Sequence, residues 1–336
     1  MDRRTLLLGA GVMLAASGRA GAQTPTATDS LRVTFAGTSG PLPVRDRAKS
    51  SLVIQAGGAL YLVDIGPEAT ENIMTWRLPI ETAKAVFISH LHSDHIGDLG
   101  EFNMQSWVAG RPAPLMVVGP PGVDHLAAGL NEAYGPDHRF RNAHHEHDAV
   151  KLPIAAGLLK GRVVRPPRAG TAVVWTDGAL TVTAIVVSHE PATPAYGYRF
   201  DYKGRSIVVS GDTKKWPPLA EAATGADVLI HEAQSAEMNR TMVQGLTAQG
   251  RPRMASIMND TLSYHTTPVE AADIARLAGV RALVLTHLTQ AGMPGFSPQA
   301  FTRGIDAGGP LDWRLAADGM TINLPVGGPE ITFGKL

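Results

Sequence analysis

Short apolar runs alternate with amphipathic stretches through the first half of the chain. LRVTFAG, SLVIQAG and ALYLVDIG are rich in β-branched residues and are divided by Gly and Pro, which is typical of short strands. AVFIS and LMVVG are continuous apolar runs that favour buried strands. Helical signals fall between these runs, at Pro67 to Arg77, at Ile96 to Val108 and in VDHLAAGLNEAYG. The pattern predicts alternating strands and helices.

The second half repeats this alternation. Residues 135–170 and 236–262 are polar and irregular, and we expect them to form insertions or loops. TAVVW, LTVTAIVVS, YGYRFDY, RSIVVSGD and DVLIHEA predict strands, and RALVLTH is the last clear core strand. Thr267 and Pro268 begin a helix over PVEAADIARLAG. Since no linker separates the halves, we predict one α/β domain over residues 23–336, with two sheets packed together and helices outside.

The N-terminus has a different pattern. Arg3 and Arg4 precede a mostly apolar run that is too short to span a membrane, and an A-x-A-like site follows at Ala20 to Ala22. Residues 1–22 are therefore expected to be a signal peptide that is removed, with paired arginines typical of the twin-arginine route. The predicted location of the mature protein is the periplasm or the medium. The alternative is a retained membrane anchor.

The composition of the chain limits which ligands and partners it can bind. The chain has 336 residues, 44% of them hydrophobic and 18% charged, with 30 basic and 30 acidic residues and no Cys. Removal of residues 1–22 leaves 27 basic and 29 acidic residues. The mature chain therefore lacks the excess of positive charge that is typical of proteins that bind nucleic acid. Without Cys, any bound metal must be held by His and carboxylate ligands.

The segment HLHSDH directly follows the buried run AVFIS. His90 and His92 are two residues apart on an extended stretch, so their side chains point the same way. Asp94 and His95 then turn into a helix. Imidazole and carboxylate ligands suit zinc, iron or manganese. A helix cap with solvent-facing histidines is the weaker interpretation, because three histidines directly follow a buried strand.

Three more ligand-type residues occupy equivalent places at strand ends. His189 ends the strand in VVSHEP, Asp212 follows IVVSG, and His287 follows LVLT. Each alone is more often a hydrogen-bonded core residue than a ligand. Together with the HLHSDH segment they form a set at the carboxyl ends of strands, where α/β proteins build their sites. A catalytic metal needs three or four such ligands and one open position.

These motifs resemble the metallo-β-lactamase superfamily, whose hallmark is H-x-H-x-D-H after a strand, and within it the ribonuclease Z-like and arylsulfatase-like branch. The resemblance covers nearly all of residues 31–290 and implies a four-layer αββα sandwich. Beyond HLHSDH it rests on FAGTSGPLP, LVDIG, GPPG, SHEPATPAYGYRF, SGDT, IHEA, SYHTT and LTHL.

The resemblance also implies residue roles and a cofactor. It implies two divalent metal ions, most readily Zn²⁺, with Mn²⁺ or Fe as alternatives. The first would be held by His90, His92, His189 and Asp212, and the second by Asp94, His95, His287 and the bridging Asp212. Asp94 would also orient or deprotonate the attacking water. His265 in SYHTT would donate a proton to the leaving oxygen and Glu232 in IHEA would orient it, whereas His231 is expected to be structural.

The substrate is inferred mainly by exclusion. Ribonuclease Z proteins carry an RNA-binding arm between the third histidine and the bridging aspartate, and here His189 and Asp212 are joined by little more than two strands. The absent arm, the charge and the signal peptide argue against tRNA 3′ processing. The expectation is therefore an exported hydrolase of small phosphodiesters, aryl sulfates or related esters, without a nucleic acid or membrane partner.

Other interpretations stay open. A lactonase or another ester or β-lactam-type hydrolase of the same fold is the main alternative, although the bridging Asp212 argues against antibiotic hydrolysis. A tRNA 3′-processing endonuclease, a non-catalytic metal-binding protein and an iron redox enzyme are further alternatives. The resemblance implies a homodimer. His144, His145 and His147 could bind metal adventitiously, but they lie in a polar stretch that favours a solvated loop.

Overall fold

The computed structural model describes residues 29–147, 149–293 and 295–336. The predicted signal peptide lies outside these residues, so it stays a prediction. Within the described part of the chain, no helix is both long enough and apolar enough to cross a membrane.

Two sheets form the centre of the molecule. In the described residues the first sheet has eight strands in the order β15-β14-β1-β2-β3-β4-β5-β6. Its strands are β1 (Ser30–Gly37), β2 (Ser51–Ala56), β3 (Ala59–Val63), β4 (Ala83–Phe87), β5 (Leu115–Gly119), β6 (Leu159–Val163), β14 (Met320–Pro325) and β15 (Thr332–Lys335). β3, β4, β5 and β6 are mutually parallel.

The second sheet has seven strands in the described residues, in the order β13-β12-β11-β10-β9-β8-β7. Its strands are β7 (Thr171–Asp177), β8 (Leu180–Val187), β9 (Ala195–Tyr202), β10 (Arg205–Val209), β11 (Val228–Glu232), β12 (Ala282–Thr286) and β13 (Trp313–Leu315). β10 to β13 are parallel, whereas β7 to β10 form an antiparallel meander.

Helices cover both outer faces. They are α1 (Ala69–Thr75), α2 (Ser93–Ile96), α3 (Leu99–Val108), α4 (Val123–Ala133), α5 (Gly135–His144), α6 (Ile154–Gly157), α7 (Pro217–Ala222), α8 (Ala236–Ala248), α9 (Pro252–Asp260), α10 (Pro268–Ala278) and α11 (Pro298–Phe301), with 3₁₀ turns at Ile80–Thr82 and Thr261–Ser263. α10 begins with a complete capping box, in which the Thr267 hydroxyl accepts from the Glu270 backbone N–H and the Glu270 carboxylate accepts from that of Thr267.

The packing confirms the four-layer αββα sandwich. A buried cluster that includes Phe35, Phe87 and Phe200 fills the space between the sheets. Separate apolar clusters join α1, α3 and α4 to the first sheet and α7 and α10 to the second. The central parallel strands, such as β5 and β12, are therefore buried on both faces, which explains why they are apolar along almost their whole length.

The two stretches expected to be irregular are largely ordered, so that expectation is wrong. Residues 135–170 contain α5, α6 and β6, and residues 236–262 contain α8 and α9. The longer of these helices are polar overall, and only a narrow face of each packs against the rest of the protein, so their composition resembles that of a loop. Asn239 on α8, for example, is fully buried and donates its amide to the carbonyl of Met258 on α9 at 3.0 Å. Tertiary contacts of this kind stabilise helices whose sequence alone predicts little.

Strand direction determines where a site can form. The parallel strands β3 to β6 and β10 to β12 end at the same side of the sandwich, so the residues that follow them meet there. That edge receives Asp64 after β3, the HLHSDH segment after β4, Asp212 after β10 and His287 after β12.

Candidate metal centre

The HLHSDH segment wraps one side of a compact cluster of His and Asp side chains. His90 is still extended, and His92 precedes the first turn of α2 with φ −67° and ψ 147°. His90 Nε2 lies 2.8 Å from His92 Nδ1. Asp94 and His95 lie within α2 and are buried, whereas His92 is exposed. One buried strand thus delivers four ligand-type side chains to one place.

The residues predicted from distant strand ends join this cluster. Oδ2 of Asp212 lies 3.4 Å from Nε2 of both His95 and His287, and 3.9 Å from Nε2 of His90 and of His189. A single carboxylate oxygen therefore faces four imidazoles. This is the position required of a ligand that bridges two cations.

The seven predicted ligands fall into overlapping groups. Within each group the ligand atoms lie within 4.8 Å of one another. The groups are His90, His92 and His189; His90, His95 and Asp212; Asp94, His95 and His287; His189, Asp212 and His265; and Glu232, His265 and His287. The first three contain the predicted ligands alone, and the last two add the predicted proton donor and its partner.

The donor set fits metal ions. Nε2 of His95 and Nε2 of His189 are buried and have no hydrogen-bond partner among the described residues. A buried ring nitrogen without a partner is costly, and here the nitrogens converge on the Asp212 carboxylate. Divalent cations at this point would satisfy them, since neutral imidazole and carboxylate are common ligands of zinc, iron and manganese.

The electrostatics of the cluster favour the metal-binding protonation states for several members. Burial lowers the pKa of His189 to about 4 and holds the pKa of His90 well below its ordinary value. Burial opposes ionisation of Asp212, but His287 and His95 outweigh it and lower the pKa of that carboxyl. Neutral imidazoles and an ionised carboxylate are the forms that bind metal.

Asp64 contacts the cluster directly, and the sequence interpretation gave it no role. It follows β3 in the LVDIG motif and adopts a left-handed backbone conformation with φ 59°. Its Oδ2 accepts from His95 Nδ1 and from the Ser89 hydroxyl, each at 2.7 Å, and its Oδ1 accepts from the Ser89 backbone N–H at 2.7 Å. The carboxylate therefore fixes the ring of His95 with Nε2 facing the cluster. Its position at a strand end, like that of the other ligands, was the available signal.

His265 and Glu232, the predicted proton donor and its partner, are in direct contact. Nδ1 of His265 donates to Oε1 of Glu232 at 2.9 Å. The same oxygen accepts from the backbone N–H groups of Thr213 at 3.1 Å and Thr266 at 3.3 Å. Burial raises the pKa of Glu232 well above its usual value. This anchoring leaves His265 Nε2 as the nitrogen free to exchange a proton.

The remaining histidines of the sequence interpretation lie elsewhere. His231 is fully buried in β11, with its Nδ1 2.8 Å from the carbonyl oxygen of Glu232. His144 ends α5 and His145 and His147 follow in a turn. In the described residues these three belong to none of the groups of ligand atoms above.

A four-layer αββα sandwich with this His and Asp cluster defines a metallohydrolase of the metallo-β-lactamase fold. The model of the β-lactamase superfamily domain matches residues 60–288, and the chain belongs to that superfamily. Curated relatives include proteins named Ribonuclease Z from Mycobacterium bovis and Mycobacterium marinum. Each is 34% identical over 272 residues, which is 80% of this chain and 90% of the relative.

Solved structures agree on the fold. A metallo-β-lactamase fold protein from Bacillus subtilis has a TM-score of 0.63 at 22% identity, covering 88% of this chain and 100% of that one. The short form of human tRNase Z has a TM-score of 0.62 at 22% identity, covering 88% and 99%. At these identities the likeness concerns the fold alone.

The relatives named Ribonuclease Z correct the expected function. The expected hydrolysis of small phosphodiesters or aryl sulfates, with a small-molecule ester as partner and no nucleic acid, is contradicted by them. One premise of that expectation is accurate: β9 and β10 are joined only by Lys203 and Gly204, so no arm lies between them. The error lay in treating the arm and the net charge as decisive, because net charge averages over the whole surface and hides local charge.

Proposed function

We propose that this protein is a metal-dependent phosphodiesterase that cleaves RNA, with the 3′ processing of tRNA as its reaction. The observation that carries the proposal is the His and Asp cluster around Asp212, which occurs in a chain 34% identical to proteins named Ribonuclease Z. The cluster supports hydrolysis assisted by metal ions, and the relatives suggest RNA as the substrate.

We propose two divalent ions, with Zn²⁺ as the first choice. His90, His92 and His189 would hold one ion, Asp94, His95 and His287 the other, and Asp212 would contact both. Bound ions supply Lewis acidity and an activated water for attack on a phosphodiester. The arrangement of Asp212 Oδ2 between four imidazole nitrogens supports this assignment.

The side chains around the cluster provide positioning and proton transfer. Asp64 contacts His95 Nδ1, and with a proton on that nitrogen Nε2 would be the ligand atom toward the cluster. His265 is held through Nδ1 by Glu232, and its ring centroid lies 5.2 Å from that of His189 and 5.6 Å from that of His287. When the P–O bond breaks, Nε2 of His265 is placed to give a proton to the departing ribose oxygen.

An open cavity of about 390 Å³ leads to His90 and His92. Two loops form its walls, one after β5 and one after β8. The residues of those walls are Pro120, Pro121, Pro191, Ala192, Thr193 and Pro194, with Leu91 beside them. Rigid, mostly apolar walls around a polar centre suit a substrate that is held at its reacting phosphate.

The test uses a precursor tRNA transcript with a 3′ extension. Wild-type protein is loaded with zinc or manganese, and cleavage is followed on a sequencing gel with and without excess chelator. We expect cleavage at one position near the 3′ end that requires metal and disappears in Asp212→Ala. Asp201→Ala removes a half-exposed carboxylate that pairs with Arg199 outside the cluster, and this control variant should cleave normally.

The proposal is wrong if metal-loaded wild-type protein leaves the transcript intact. If the same preparation hydrolyses p-nitrophenyl sulfate or a lactone but does not cleave RNA, the substrate of the site is a different kind of ester.

A further inference from the structure

A continuous stretch of the chain carries basic residues and no acidic ones. Residues 149–176 contain two lysines and three arginines but neither Asp nor Glu, in a chain with equal numbers of acidic and basic residues. The segment runs from the turn after α5 through β6 to Thr176 in β7, and Asp177, the last residue of β7, pairs with Lys84. A run of one sign in an otherwise neutral protein produces a local positive potential.

The fold gathers this segment along one open side of the sandwich. β6 is the edge strand of the first sheet and β7 is the edge strand of the second. Arg162 joins them, since its guanidinium donates to the carbonyl of Val174 at 3.1 Å and lies 5.8 Å from the centre of the Trp175 ring. We call this side the β6–β7 seam and define it by Lys160, Arg162, Arg165, Arg168 and Trp175.

The seam begins at a cavity far from the metal centre. This cavity of about 570 Å³ lies at the amino ends of β4 and β5, and Lys160, Met116 and Trp175 line it. Glu81 is a carboxylate in its wall. Aromatic rings beside cations are the features with which proteins hold nucleic acid strands, by stacking on bases and pairing with phosphates.

The other end of the seam lies beside the metal centre. Val163 pairs with Gly119 at the carboxyl end of β5, and the Val164 backbone N–H donates to the Gly119 carbonyl at 2.9 Å. Pro120, the next residue, lines the cavity that leads to His90 and His92. The five residues of β6 span about 17 Å, which corresponds to about five phosphates of a stacked strand at about 3.4 Å each.

Charged edge strands also have a general purpose, which is to block pairing between sheets. One or two charged residues of either sign are enough to block such pairing. That purpose explains neither why all four charged residues of the seam are cations nor why a tryptophan packs against Arg162.

We propose that the β6–β7 seam binds the phosphodiester backbone of the RNA substrate outside the metal centre. The identity of the partner rests on the proposed function. The seam would position the RNA from a surface that belongs to the body of the domain, in a chain whose β9–β10 connection is only a tight turn.

The test compares two triple variants that lose the same charge. Lys160→Gln/Arg165→Gln/Arg168→Gln removes three seam cations and retains Arg162, which packs on Trp175. Arg32→Gln/Lys203→Gln/Lys335→Gln removes three exposed cations elsewhere on the surface. Binding of the precursor tRNA transcript is measured by fluorescence anisotropy in excess chelator, so that cleavage does not interfere. Unfolding temperature checks that both variants are folded.

We expect the seam variant to bind at least about 10-fold more weakly near 0.1 M salt, and its slope of log affinity against log salt to fall by about two to three. The control should stay within about twofold of wild type. The proposal would be overturned by equal losses of RNA affinity in the two variants, by no loss in either variant, or by no binding of RNA to the wild-type protein.

Cleavage separates this proposal from the proposed function. Seam-dependent binding without metal-dependent cleavage supports the seam and contradicts the ribonuclease function. Metal-dependent cleavage with full binding by the seam variant supports the function and overturns the seam.

Discussion

Replacement of Asp64 by asparagine tests how the cluster holds its ligands. Asp64 does not face the proposed ions, but its Oδ2 accepts from His95 Nδ1 at 2.7 Å. Asparagine has nearly the same shape, and its carbonyl oxygen can still accept from the Ser89 backbone N–H. Its NH₂ group would then face His95, which must accept at Nδ1 and carry its proton on Nε2. A protonated Nε2 cannot bind a metal ion.

The size of the effect follows from that tautomer change. Removal of a carboxylate that orients a metal-bound histidine typically lowers metal affinity by about 10- to 100-fold. That range equals about 1.4 to 2.8 kcal/mol of binding free energy. We expect the loss at the ion that His95 would hold. The affinity for one of the two zinc ions should therefore fall, and the affinity for the other should stay at the wild-type value.

The assay is a competition titration of Zn²⁺ against a chromophoric chelator, performed on purified apo-protein. Asp318→Asn is the matched control because its half-buried carboxylate also accepts three hydrogen bonds, from Thr38, Ala48 and Asn72, outside the cluster. Both variants should lose some stability, and only Asp64→Asn should lose zinc affinity. Wild-type zinc affinity in folded Asp64→Asn protein would refute the reasoning.

Further predictions concern proton transfer, packing and pH. His265→Ala should slow RNA cleavage by about 100-fold or more, whereas hydrolysis of bis(p-nitrophenyl) phosphate, whose leaving group needs no proton, should change much less; equal losses on both substrates would contradict proton donation. Gly211→Ala should lower the unfolding temperature, because a Cβ there would lie 2.4 Å from the Tyr196 carbonyl at φ 60°; an unchanged temperature by calorimetry would be inconsistent with that contact. Burial lowers the pKa of His189 to about 4, so the unfolded chain binds more protons between about pH 4 and pH 6.5. The apo-protein should therefore lose stability as pH falls through that window in urea titrations, less so in His189→Gln.

The sequence predicted the cluster well because its members share one simple feature. Each follows a run of apolar, β-branched residues, and parallel strands end at the same edge of a sheet. His90 and His287 are almost two hundred residues apart in the chain, yet both approach Asp212 Oδ2 within 3.9 Å. Asp64 shares the feature but was given no role, since its partners Ser89 and His95 are apparent only in three dimensions.

The parts that the sequence did not predict depend on tertiary contacts. The polar helix α5 is anchored by His138, which is buried against Trp107 at 5.0 Å between ring centres. The last strands are short and contain polar residues, but β14 pairs with β1 over five residue pairs and so acquires its hydrogen bonds from a distant segment. Local patterns cannot reveal a partner that is nearly three hundred residues away.

Cleavage as a function of bound metal tests the central claim most directly. Apo-protein receives zinc or manganese in steps, and single-turnover cleavage of the precursor tRNA is measured at each step together with the metal content. We expect the rate to rise to its maximum at two ions per chain, and we expect Asp212→Ala never to reach that rate. A maximum at one ion, or no cleavage at two, would contradict RNA cleavage by a pair of bound ions.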